Sequence, residues 1–426
     1  MQNAKDNKPL KRALDSFRKV EDDYVRALQG KGLEFAPRGS HEEQVGRLRS
    51  ALAAKGAHMR NAGASISCGW LSKACVECTG SGGSETFSTT FKCHRDCYFC
   101  FNYNLADYDK YVKCGCPWEE ELQAAYEASD GKMAALGLTG GEPLLNLEDS
   151  LLFLEKAGEL FPNAHKRMYT SGDLLTREGA ERLRDAGLDE MRFSVKQDDP
   201  EDRRNLVLDN MALAAQIIPS VVVEMPIIPG TGESMRNWMR RFAENGVKGM
   251  NLLEFCFPFH SWKEFKKRGF KLKNPPFQEM YDYGYSGGLA VAGSEELALE
   301  LMLFGLDEGL GFGMHYCSLE NKHRSEMRQR NERGARVHPV FSFDTQDFFV
   351  KTAKVFGPDV EPAKVLLKDA GCRDMVEDET EECLIFPVRF AQALKGARVE
   401  PMIAFNVLET DDQGSYLSEI ALKPAP

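Results

Sequence analysis

The sequence predicts an α/β fold built on a parallel sheet. From Glu85 to about residue 318, short apolar segments of strand length alternate with segments of helical period. Helix start and stop signals fall between them: Asn146 ahead of Leu147, Leu151 and Leu154; Thr176 ahead of a stretch stopped by Gly187; and Asp199-Pro200 ahead of another. Alternation of this kind implies right-handed crossovers and a parallel sheet buried on both faces.

In chain order, residues 1–65 are charged, with Leu10, Leu14, Phe17, Tyr24 and Leu28 at helical spacing, and predict a helical N-terminal extension. A cysteine-bearing segment follows, Cys68 and then Cys75-Val76-Glu77-Cys78, running into the flexible Thr79-Gly80-Ser81-Gly82-Gly83-Ser84. Strands are expected over residues 86–91, 134–138, 167–170, 191–195, 221–227, 250–255 and 311–315, giving six strand–helix repeats. Residues 257–293 interrupt the alternation with aromatics, Gly, Pro, a basic run from Lys263 to Lys273 and the stretch 281–288. A loop of this length in a compact domain is usually functional, so it is read as a lid or substrate-recognition insert. Lys322, His323, Arg324, Arg328, Arg330, Arg333 and Arg336 form a basic island whose plain reading is a solvated helix face. Strand candidates at 383–388 and 399–407 predict a small α+β C-terminal domain over 337–426, leaving 66–336 as the central domain.

The net charge of −11 argues against a general nucleic-acid or anionic-membrane binder. No apolar run approaches the roughly 18 residues of a membrane span, and the lysine-rich N-terminus lacks a signal-peptide apolar region, which suggests the cytoplasm. Most of the twelve cysteines cluster, which in a reducing compartment reads as metal ligation and not as disulfides. Cys256 alone reads as a small buried hydrophobe, and Cys372 and Cys383 have no ligand partners nearby in sequence.

Chemistry concentrates in two motifs. Phe91-Lys92-Cys93-His94-Arg95-Asp96-Cys97-Tyr98-Phe99-Cys100 spaces three thiols as C-x3-C-x2-C. Three thiolates from one short loop can hold three corners of a [4Fe–4S] cube and leave the fourth iron without a protein ligand, whereas a structural zinc wants four. Leu138-Thr139-Gly140-Gly141-Glu142-Pro143 follows an apolar strand. Its glycines leave backbone bare for close approach, and Glu142 supplies negative charge for an ammonium. Together the motifs resemble those of the radical S-adenosylmethionine (SAM) superfamily, including the aromatic Phe99 before the last cysteine, and specifically a branch with extra cysteines. The resemblance covers roughly residues 68–335.

That resemblance implies a partial (β/α)6 barrel of radical SAM type, with ligands at the C-terminal ends of the strands. It implies that Cys93, Cys97 and Cys100 hold a catalytic [4Fe–4S] cluster whose open iron chelates SAM. Phe99, Gly140, Gly141, Glu142, Pro143, Ser171 and Ser194 become SAM contacts, with Ser171 on the methionine carboxylate and Ser194, beside Lys196, on ribose or carboxylate. Glu224, the segment 226–230 and Glu254 lie on later strand ends. Family members often carry additional clusters. Cys68, Cys75, Cys78 and Cys317 are therefore candidates for a second iron–sulfur cluster or a zinc, with Cys114 and Cys116 in reserve. The implied activity is reductive cleavage of SAM to a 5′-deoxyadenosyl radical that abstracts hydrogen from a small-molecule or peptide substrate. The electron would come from a donor such as flavodoxin or ferredoxin. The competing class is a non-catalytic iron–sulfur or zinc protein of electron transfer or assembly, which has no use for the Gly-Gly-Glu-Pro turn. Within the enzyme class, a methyltransferase and a peptide- or protein-modifying enzyme remain open.

Overall fold

The computed structural model describes residues 7–276 and 288–426 except 31, 79, 81, 106, 412 and 413, so the stretch 281–287 and parts of the linker after Cys78 lie outside the described residues, as do the Arg330 and Arg333 side chains. Two compact units emerge: residues 34–276 with 285–321, and residues 1–33 with 277–284 and 322–426.

In the chain, helices α1 (Lys8–Gly30) and α2 (Glu42–Ala54) precede strands β1 (His58–Arg60) and β2 (Ser65–Cys68) and the short helix α3 (Lys73–Cys78). Next come β3 (Ser84–Ser88), α4 (Tyr108–Cys114), α5 (Trp118–Ser129), β4 (Ala135–Thr139), α6 (Leu147–Leu160), β5 (His165–Thr170), α7 (Arg177–Asp185) and β6 (Glu190–Phe193). The repeat continues through α8 (Glu201–Ala215), β7 (Ser220–Ile227), α9 (Gly232–Glu244) and β8 (Gly249–Glu254). A two-stranded pair, β9 (Cys256–Phe257) with β10 (Leu289–Ala290), brackets α10 (Trp262–Lys267), and α11 (Ser294–Asp307), β11 (Gly313–Cys317) and α12 (Leu319–Gly334) follow.

The nine-stranded sheet runs β1-β2-β11-β8-β7-β6-β5-β4-β3, with every neighbouring pair from β11 to β3 parallel. This is the parallel sheet that strand–helix alternation predicts, in the partial-barrel form that the resemblance implies, and all seven expected strands are present with shifted ends. The helix signals hold at α7, where Thr176 Oγ1 accepts from Gly179 N at 3.1 Å and Gly187 turns the chain at φ +91. They place the start of α6 as well, with Asn146 at the N-cap position before Leu147, though its side chain makes no cap bond. Strands β1 and β2 were not anticipated; β2 adds antiparallel to β11, with Cys68 opposite Met314 and Ser65 opposite Cys317.

Alternation along each strand sorts its side chains. Val221, Val223, Met225 and Ile227 pack in the main hydrophobic core with the helices, so Ser220, Val222, Glu224 and Pro226 face the concave interior. The same parity puts Arg167, Tyr169, Glu190, Arg192, Asn251 and His315 inside. The interior of this barrel is therefore polar.

The second unit carries an antiparallel sheet ordered β14 (Val376–Asp378), β15 (Cys383–Phe386), β13 (Val350–Phe356), β16 (Met402–Asp411), β17 (Gly414–Pro424), with β12 (Ser342–Phe343) beside β13 and α13 (Val360–Asp369) between β13 and β14 in sequence. Leu10 of α1 is buried with Phe356, Cys383 and Met402, and Asn7 Nδ2 donates to Phe356 O at 2.9 Å. That packing is why the first helix belongs here. The basic island is also no simple solvated face: Arg324 is 2% exposed, with its guanidinium 5.7 Å from the Phe349 ring centroid.

Gly313 lies so close to the turn after β2 that a Cβ would sit 1.8 Å from Trp70 O. Gly313→Ala should therefore destabilise the barrel unit severely. The exposed helical Gly46 has nothing within 4 Å, and Gly46→Ala should add about 0.5–1 kcal/mol. Thermal unfolding of the two variants beside the parent checks both.

Candidate functional site

Beyond the last β3–β4 register pair, Ser88 with Thr139, the two motif loops continue side by side. Gly141 N donates to Thr90 O at 2.8 Å and Glu142 N to Lys92 O at 3.0 Å, while the Asn102 amide caps Gly140 O. Gly140 is at φ +107, and a Cβ on Gly141 would lie 2.1 Å from Lys92 O. The bare backbone of the second motif is thus used first for contact with the cysteine loop.

Within that loop Cys100 N donates to Cys97 O at 2.9 Å, and Arg95 N approaches Cys93 Sγ at 3.4 Å. The residues between the thiols anchor it to the barrel rim. His94 Nε2 and Arg95 Nη1 reach Asp173 at 3.0 and 3.1 Å, and Arg95 also pairs with Asp199. Burial alone would raise the Asp173 carboxyl, but hydrogen bonds from His94 and Ser171, with the charges of His94 and Arg95, hold it below its ordinary value. Burial pushes the Cys93 and Cys100 thiols up, so taking a metal there must release protons.

The insert covers the other side. Tyr98 meets Phe99, Phe265 and Phe255 edge-on at centroid distances of 5.0, 5.5 and 6.3 Å, and Arg268 lies 4.1 Å over its ring. His260 Nε2 pairs with Cys100 O, and its neighbours Phe259 and Ser261 take left-handed φ values of +62 and +56. Such strained residues persist only when their surroundings over-determine them.

One open cavity is lined by Cys93, Cys97 and Cys100, by Gly140, Gly141 and Glu142, and by Ser171, Ser194 and Lys196. Pro143 is buried behind it, and the Phe99 ring sits 5.5 Å from Lys196 Nζ. Glu142 is held at the cavity by its neighbours. Its Oε1 accepts from Leu144 N at 3.1 Å and Thr170 Oγ1 at 2.7 Å, and its Oε2 from Ser171 N and Oγ, both at 2.7 Å. These bonds tie the rim together, and Glu142 is 1% exposed in the cavity lining. The single proton of the Ser171 hydroxyl is shared between Glu142 Oε2 and Asp173 Oδ1, each 2.7 Å away.

The cavity floor was largely unforeseen. Tyr169, Arg192 and Glu224 line it. Arg192 donates to Glu190 at 2.6 Å, Glu224 at 2.5 Å, Tyr169 Oη at 3.3 Å, Ser72 Oγ at 3.1 Å and Cys75 Sγ at 3.4 Å. Asn251 donates to Glu224 at 2.6 Å and Cys75 at 3.3 Å, and His315 continues the chain to Ser65. The available signal was parity, since Arg192 is two residues before Ser194 and Tyr169 two before Ser171.

The four proposed auxiliary cysteines do not share a site. Cys68 packs in the helix-facing core, whereas Cys317, opposite Ser65, is on the interior face and three register positions away, about 10 Å along the ladder. Cys75 points instead into the floor network. Cys114 ends α4, and Cys116 N bonds Thr89 O at 2.9 Å near the start of the cysteine loop. Among the described residues no three His, Cys, Asp or Glu side chains are placed to hold one metal ion.

The family model described as the Radical SAM superfamily matches residues 87–243, a span containing both motif loops and most of the cavity wall. Over that span the chain is similar to that superfamily. The chain is 26% identical over 351 residues to a protein of Methanocaldococcus jannaschii provisionally named a glycyl-radical enzyme activating enzyme, covering 75% of this chain and 88% of that one. Solved structures similar to it include SuiB of Streptococcus suis bound to S-adenosylmethionine, at TM-score 0.40 and 13% identity over 55% of this chain. BtrN in complex with AdoMet and 2-DOIA matches at TM-score 0.27 and 22% identity over 34%. The chain spans about half the length of each, 50% and 56%. No helix among the described residues is long and apolar enough to cross a membrane.

Gly141→Ala should separate the two loops and abolish both iron retention and SAM binding, measured by metal analysis and equilibrium dialysis, while far-UV circular dichroism stays near the parent. The floor makes a pH prediction. Burial favours neutral Glu190, but the Arg192 charge and hydrogen bonds from His165 and Ser72 hold its carboxyl well below the ordinary value of 4.5. A depressed folded value adds stability above pH 4.5 that disappears as pH falls toward the depressed value. Glu190→Gln should cost about 3 kcal/mol at neutral pH and flatten the acid limb of the stability profile, read by denaturant titration from pH 7 to 3.

Proposed function

We propose that Cys93, Cys97 and Cys100 hold a [4Fe–4S] cluster and that SAM binds beside it against Gly140 and Gly141. The observation that carries this reading is that the three thiols and the glycine backbone line one cavity. The donor set fits: three soft sulfur ligands face a cavity whose lining includes no fourth cysteine, leaving one iron to the substrate. A cluster and SAM held there supply the chemistry, one electron breaking the SAM C5′–S bond to give methionine and a 5′-deoxyadenosyl radical that takes a hydrogen atom. The chain's own residues orient and shield. Glu142 fixes the rim through Leu144, Thr170 and Ser171 and brings its charge to the cavity, Ser194 and Lys196 offer polar contacts at the wall, and the aromatic insert limits water.

We infer further that the substrate is a protein or peptide and that the hydrogen comes from a glycyl residue. The name of the M. jannaschii relative supports this, the match extending along 88% of that protein. The opposite faces of Cys68 and Cys317 favour one cluster per chain over two.

Anaerobically reconstituted protein should contain about four irons per chain and release 5′-deoxyadenosine from SAM under dithionite. The combined Cys93→Ala, Cys97→Ala and Cys100→Ala variant should bind no cluster and release none. Undiminished product from the triple variant would remove the assignment.

A further inference from the structure

The radical SAM reading requires an electron from outside, and one face of the insert has the character of its entrance. Residues 262–273 contain six lysines and arginines against one acid, Glu264, in a chain whose net charge is −11. Lys263, Lys266, Lys267, Arg268 and Lys271 are exposed. Glu264 is committed to Arg268, and Lys271 pairs with Glu34 at 3.3 Å, so Lys263, Lys266 and Lys267 make the main positive field of α10.

This face lies directly over the cysteine loop. Phe265 packs on the Tyr98 ring at 5.5 Å and Arg268 covers it at 4.1 Å, Tyr98 being the residue next to Cys97 in the stretch that leads to Cys100. His260, just before α10, reaches the Cys100 carbonyl. Among the lysines stand two exposed aromatics, Trp262 at 40% and Phe259 at 46%. An apolar centre with a charged rim is the anatomy of a transient protein interface, and a local charge opposite to the body of the molecule steers one kind of partner.

We propose that α10 and its flanks are the docking face for a small acidic one-electron carrier protein, which reduces the cluster through the Tyr98 side of the loop. In the step, the reduced carrier loses one electron and the cluster gains it, with no bond made or broken at the interface. The charge complementarity selects an acidic protein, and the nearness of the thiols selects a carrier. This proposal rests on the function proposed above.

The test uses the reconstituted full chain with flavodoxin hydroquinone as the probe and the combined Lys263→Glu, Lys266→Glu, Lys267→Glu variant, none of whose positions lines the cavity. Cluster reduction is followed by the loss of its visible absorbance, and 5′-deoxyadenosine is measured in parallel with dithionite as a small reductant. Flavodoxin-driven reduction should fall on the order of tenfold at low salt and lose most of its salt dependence. Dithionite-driven product should stay at the parent level. The corresponding lysine-to-glutamine variant should fall between. Equal flavodoxin rates in parent and variant overturn the docking face, and so does an equal loss with both reductants, which would make α10 a structural support of the loop. A parent that yields no 5′-deoxyadenosine with dithionite fails the proposed function itself, a distinguishable outcome.

Discussion

The site depends on the contact between two stretches of backbone. Where β3 and β4 stop pairing, Gly141 and Glu142 go on donating to Thr90 and Lys92, so the loop that carries the thiols and the loop that carries the glycines are one extended ladder. A side chain on Gly141 would occupy the position of the Lys92 carbonyl. The thiols are consequently placed by main-chain hydrogen bonds, which neither titrate nor change rotamer, and the barrel rim needs only to hold the loop's far side through Arg95, Asp173 and Asp199.

The polar barrel interior follows a related logic. Arg192 spends all its donor directions on Glu190, Glu224, Tyr169, Ser72 and Cys75, a degree of satisfaction that makes a buried guanidinium tolerable. The network fills the lower barrel and fixes how deep the cavity goes. It also explains the thiol of Cys75 without metal: a sulfur in hydrogen-bonding reach of a guanidinium and an amide is part of the packing.

Much of this was legible from the chain. Buried parallel strands are apolar and flanked by helix signals, and both motifs fall where the fold places ligands, so the seven main strands and the cavity's thiol and glycine walls could be read directly. What could not be read depends on which face a residue takes. Cys68 and Cys317 look like partners in sequence, yet register and alternation turn them to opposite sides of the sheet. Strands β1 and β2 are too short to show a period, the role of α1 depends on the Phe356 core hundreds of residues later, and the approach of His260 to Cys100 is set by two left-handed residues with no sequence signature. Glu142 was identified as important for its charge, and its hydrogen bonds to Thr170 and Ser171 show that it also joins its loop to the end of β5.

The aromatic layer formed by Tyr98, Phe99, Phe255 and Phe265 has an electrochemical consequence. A [4Fe–4S] cube with three thiolates becomes more negative on reduction, and a hydrocarbon wall penalises the more highly charged of two states. If Cys93, Cys97 and Cys100 held such a cluster, this hydrocarbon layer against their loop would lower its reduction potential and so favour its oxidised, less highly charged state.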